Sequence, residues 1–94
     1  ARGTQNKNTV VRVANFLDAC EPNEIDAATG CFAKLAVYIR DTGMANTLCA
    51  VFEKELNENR DDLVSTMNYF DRFILNHSNE PHLVRNELER QLNR

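Results

Sequence analysis

The sequence predicts an all-α protein, folded as a compact bundle of four to five helices arranged in antiparallel helical hairpins. Apolar residues recur every three or four positions along most of the chain, which is the spacing of one face of an α-helix. The only β-branched cluster, residues 9–13, is too isolated to build a sheet. With three glycines and two prolines in 94 residues, the chain also has too few turn residues for a many-stranded fold.

The apolar stripes and the polar breaks between them predict five helices. These are expected near residues 9–20, 24–41, 45–57, 62–77 and 80–93. We expect Asn23 to cap the second helix at its start and Gly43 to close it as a left-handed C-terminal cap. Ser78 or Asn79 should cap the last helix, with Pro81 in its first turn, where proline loses no hydrogen bond.

The core is expected where the apolar stripes are widest, at Phe32, Leu35, Phe52 and Phe70. The second and fourth helices resemble each other at an offset of 38 residues, and the third and fifth at an offset of 36. A helix pair that repeats at this period is typical of α-solenoids. The alternative architecture is therefore a HEAT- or armadillo-like solenoid fragment.

The length suits one domain. Residues 1–17 carry three basic side chains and no acidic one, although the whole chain has a formal net charge of −3. This asymmetry suggests a flexible basic arm at residues 1–8, followed by a single all-α domain at residues 9–94. Because the chain opens with Ala1 and not Met, the domain is expected to be excised from a longer protein.

The chain has no motif for nucleotide binding, metalloprotease or hydrolase chemistry. Its three cysteines, Cys20, Cys31 and Cys49, lack metal-ligand spacing and lie among apolar residues, where cysteine behaves as a small hydrophobe. We therefore expect structural thiols, no cofactor, no metal and no enzymatic activity. The odd cysteine count favours a reducing, intracellular location. The longest apolar run has five residues, far short of the roughly 20 that span a bilayer.

Without catalytic signatures, two functions remain as hypotheses. The first is a protein–protein interaction or oligomerisation module, with a homodimer as the favoured partner arrangement. Apolar residues beside the main stripes would form its surface, and these are Tyr38, Val64, Tyr69 and Phe73. The alternative is a nucleic-acid-associated domain, whose candidate contacts are Arg2, Lys7, Arg12, Arg85, Arg90 and Arg94.

Overall fold

The computed structural model describes the backbone of residues 2–94 and the side chains of residues 7–94, and this part of the chain is all-α. Its helices are α1 (Arg2–Asp18), α2 (Pro22–Lys34), α3 (Thr42–Glu58), α4 (Leu63–Asn76) and α5 (Pro81–Leu92). A π-helical turn, Leu35–Ile39, extends α2, and a 3₁₀ turn, Arg60–Asp62, precedes α4. No strand occurs within residues 2–94. The predicted fold class, an all-α helical bundle, is confirmed.

The helices pack mainly with the helix two positions along the chain. Helix α3 contacts α1 on one side and α5 on the other, whereas α2 packs on α4. This makes one layer of α1, α3 and α5 and a second layer of α2 and α4. The principal extents of 30 × 28 × 24 Å have no long axis, which fits a compact bundle better than an extended superhelix.

The core lies between the two layers and is centred on Phe52. Its ring is completely buried and contacts Phe16, Phe32 and Phe70, with ring centroids 6.0, 5.9 and 6.4 Å apart. Leu35 is 2 % exposed, as expected of a core residue. Phe32 is only partly buried, because one of its edges borders the surface groove described below.

The beginning of α1 differs from the prediction. Helix α1 starts at Arg2 and not near Thr9. The prediction used the apolar stripe to find the first turn, but residues 4–8 are polar and carry no stripe, so they gave no signal. The segment expected to be an arm therefore continues α1 towards the amino terminus. Its separate role stays a prediction.

Two helix caps also differ from the prediction. Helix α2 is capped by Glu21 and not by Asn23, because Glu24 accepts a hydrogen bond from the Glu21 amide at 2.7 Å in a capping box. Pro22 takes the first helical position, which leaves Asn23 inside the first turn. Likewise, Glu80 and not Ser78 or Asn79 precedes α5, while Pro81 occupies its first turn as predicted.

The turn between α2 and α3 uses Arg40, and not Gly43, as its left-handed residue. Arg40 has φ 57°, and Gly43 lies in the first turn of α3. Asp41 caps α3 by accepting hydrogen bonds from the Gly43 and Met44 amides at 2.8 and 3.3 Å. None of the helices in residues 2–94 has the length and apolar content needed to cross a membrane.

Candidate interaction surface

An apolar groove of about 540 Å³ runs between α1 and the α2–π segment. Helix α1 contributes one wall at positions 10, 13, 14 and 17, the three- and four-residue steps of a single helix face. The opposite wall is made of Phe32, Leu35 and Ala36. We call this feature the α1 groove. Its lining is more apolar than that of the pockets beside Phe73, Arg90 and Arg85.

The α1 groove has one polar end, and the direction of α1 relative to α3 shows where on α1 this end lies. The two helices run in the same direction. The Thr9 hydroxyl donates to the Asn46 side-chain oxygen at 3.0 Å, and Arg12 pairs with Glu53 farther along both helices. The amino-terminal half of α1 therefore lies beside the start of α3. Arg40 and Asp41 close the groove at this end.

The π-helical turn shapes the rim of the α1 groove. It ends where the Arg40 amide donates to the Leu35 carbonyl oxygen at 2.6 Å, across five residues. A π turn widens a helix locally and is common at functional sites. Here it leaves Val37 62 % and Tyr38 51 % exposed. Together with Val10 and Val11, 67 % and 51 % exposed, they are the most exposed large apolar side chains among the described residues.

The four predicted partner-binding residues do not share one face. Tyr69 and Phe73 lie together on α4 with ring centroids 5.8 Å apart, and the Tyr69 hydroxyl donates to Glu87 at 2.8 Å. Val64 is half-buried and lies nine residues before Phe73, about 180° around α4. Tyr38 belongs to a different element, the π turn at the end of α2. Their role in binding stays a prediction.

Four of the six predicted nucleic-acid contacts are paired within the protein. Four of these arginines have carboxylate partners at 2.6–2.8 Å, in the pairs Arg12–Glu53, Arg85–Asp41, Arg90–Glu87 and Arg94–Glu55. Lys7 is exposed, and the side chain of Arg2 lies outside the described residues. Carboxylates at this distance cancel most of the field that would attract a phosphate backbone. The pairing therefore disfavours a nucleic-acid interface at these arginines.

The pKa values reflect the same pairing. The hydrogen bond from Arg90, opposed by burial and aided by Gln91 and Tyr69, lowers the pKa of Glu87 to about 2. The hydrogen bond from Arg60 likewise lowers the pKa of Glu24, which is 4 % exposed. Both carboxylates are therefore ionised at neutral pH. Glu87 connects α5 to Tyr69 of α4, and Glu24 connects the start of α2 to Arg60 of the 3₁₀ turn.

The cysteines fit a structural role. Cys31 and Cys49 are completely buried and unpaired, and the Cys31 thiol donates to the Met67 carbonyl oxygen at 3.0 Å. Burial, with smaller contributions from nearby carboxylates, raises the pKa of each thiol to about 12. Thiols of this pKa are protonated at neutral pH and react slowly. Within the described residues, no group of three or more Cys, His, Asp or Glu is arranged to hold a metal ion.

Sequence reasoning missed the α1 groove. The apolar stripe of Val10, Val13 and Leu17 predicts a first helix but not a groove, and Phe16 is the only buried apolar side chain among residues 7–18 of α1. The one usable signal was Val11, an apolar residue beside that stripe. The groove itself depends on the distance between α1 and α2. The spacing of residues within either helix does not predict the distance between the two helices.

Comparison with models of known protein families, with curated proteins and with solved structures finds no match to this chain. The functional assignment therefore depends on the α1 groove and on the charges around it.

Proposed function

We propose that the domain is a non-catalytic protein-interaction module that self-associates, and that a second copy of the chain covers the α1 groove. The observation that carries this proposal is the continuous apolar surface made by the groove walls, which include Val10, and by the adjacent Val11. Exposed valines on the outward face of a helix, here called its crest, cost free energy in water when they border an apolar groove. Such surfaces are commonly covered by another apolar protein surface.

The position of the α1 groove supports a second copy as its occupant. Helix α1 lies at the edge of its layer with α3 as its main packing partner, and its outer side, which carries Val11, Ala14 and Asp18, is exposed. Identical surfaces meet across a two-fold axis in most small oligomers. An apolar edge helix can therefore bury its own crest against that of a second copy.

Charge also favours a protein partner over nucleic acid. The carboxylates that neutralise Arg12, Arg85, Arg90 and Arg94 would have to be displaced before those arginines could reach phosphates. Binding of a labelled single-stranded RNA that weakens steeply with salt would contradict this reasoning.

The test is the molar mass in solution over a wide concentration range, by light scattering or sedimentation equilibrium. The native chain should shift from monomer to dimer as its concentration rises. Ala14→Glu places a charge on the exposed groove wall without touching the core, and it should give a monomer whose melting temperature equals that of the native chain at concentrations where the native chain is also monomeric. Asn68→Glu is the matched control, since it adds the same charge beside Tyr69 on α4, and it should leave the dimer intact.

The outcomes separate the two candidate surfaces. A native chain that is monomeric at every concentration would overturn the proposal. A dimer that survives Ala14→Glu but is lost with Asn68→Glu would move the interface to the Tyr69 and Phe73 face of α4.

A further inference from the structure

The crest of α1 carries a self-complementary row of side chains. Lys7, Val11, Ala14 and Asp18 follow one another at steps of four, three and four residues, so they form one line along the helix. All four are exposed. The line runs for about 16 Å, with a cation at one end, an anion at the other, and small apolar side chains between them.

The two charged ends of this row lack a partner among the side chains of residues 7–94. Among the described side chains, neither Lys7 nor Asp18 forms an ion pair or a hydrogen bond, whereas Arg12, Arg85, Arg90 and Arg94 are paired. Asp18 is also the last residue of α1, where the negative end of the helix dipole disfavours an anion, and the last turn has no basic residue to offset it.

Opposite charges meet between the rows of two copies only when the two α1 helices are antiparallel. An axis crossing α1 between Arg12 and Val13 places Lys7 opposite Asp18 of the second copy and Val11 opposite Ala14 of the second copy. A parallel arrangement would instead set like charges against each other at both ends, which is unfavourable. The small Ala14 side chain lets the two helices approach closely at the centre.

We propose that two copies pair through antiparallel α1 helices, with Lys7 of each copy against Asp18 of the other and with Val10 and Val11 of each copy directed towards the α1 groove of the other. This arrangement rests on the proposed function and specifies its geometry. Because the row is only about 16 Å long, we expect the contact to bury less than the roughly 800 Å² per partner of a standard interface, and the dimer to be weak and reversible.

The experiment is a charge exchange, followed by sedimentation equilibrium at low salt. Lys7→Glu alone and Asp18→Lys alone each turn two attractive contacts of the symmetric dimer into repulsive ones, and each should raise the dimer Kd roughly tenfold. Both residues are exposed, so circular dichroism should show unchanged folding. The double variant restores opposite charges across the axis and should recover the native Kd.

A mixture of the two single variants gives a sharper test. Each variant alone repels itself, but a heterodimer of the two has opposite charges at both ends and should form on mixing. High salt should narrow all these differences, because the charges are exposed.

The failures are distinguishable. If the native chain dimerises but neither single variant weakens the dimer, the antiparallel register is wrong and the proposed function stands. If the single variants weaken the dimer and neither the double variant nor the mixture recovers it, the Lys7–Asp18 pairing is wrong. If the native chain never dimerises, the proposed function itself fails.

Discussion

Replacing Phe52 by alanine should remove a large part of the stability of this protein. The ring is completely buried and lies between three other phenylalanine rings, at centroid distances of 5.9 to 6.4 Å. Those rings come from α1, α2 and α4, so no single helix can move to fill the space. A cavity that cannot collapse places the cost at about 3–5 kcal/mol, the range of Phe→Ala substitutions in packed cores.

That loss is large for a small domain. Total unfolding free energies are about 5–15 kcal/mol, so the variant should retain about four fifths of its stability at best. The melting temperature should fall by roughly 12–40 °C, since each kcal/mol corresponds to about 4–8 °C at this size. Because the chain has no tryptophan, the suitable assay is urea unfolding followed by far-UV circular dichroism.

Two further variants keep this prediction testable. Val37→Ala removes methyl groups from a side chain that is 62 % exposed and should change stability by less than about 0.5 kcal/mol. Phe52→Leu keeps part of the ring volume and should fall between the native chain and Phe52→Ala, which gives a measurable value even if the alanine variant does not fold. A loss below about 1 kcal/mol for Phe52→Ala would refute the central position assigned to this ring.

Three other predictions concern single side chains. The pKa of Glu87 is about 2, below its ordinary 4.5, so the stability that its ionised form contributes is complete above pH 4.5 and is lost as the pH falls towards 2. Glu87→Gln should therefore make the unfolding free energy decline less steeply over this pH interval. An equally steep decline in the native chain and the variant would contradict this prediction. Cys20 should react with a water-soluble thiol reagent before Cys31 and Cys49, since it is only partly buried; rapid labelling of all three in native buffer would contradict their burial. Arg40→Gly should raise the unfolding free energy by about 1 kcal/mol because glycine adopts φ 57° without strain, whereas Arg40→Ala should give no gain; equal effects of the two changes would argue against backbone strain.

Helix identity and core composition were accessible from the sequence because both depend on local spacing. The stripes containing Leu35, Phe52 and Phe70 led to buried residues, and Pro81 lies in the first turn of α5 as expected. Helix ends were less accessible. The cap at Glu21 depends on a reciprocal hydrogen bond with Glu24, and the left-handed residue at Arg40 depends on the π turn before it.

The sequence by itself determined that this protein is all-α, because apolar residues spaced three to four positions apart line one face of a helix and do not line one face of a strand. It also determined that Cys31 and Cys49 lie in an apolar interior. Only the tertiary structure decided which charges stay unpaired and where apolar surface stays uncovered. The partners of Arg85 and Arg94 lie about 40 residues away along the chain, at Asp41 and Glu55, and the α1 groove depends on the distance between two helices. Such relations arise when helices pack, since residues distant in sequence then become neighbours.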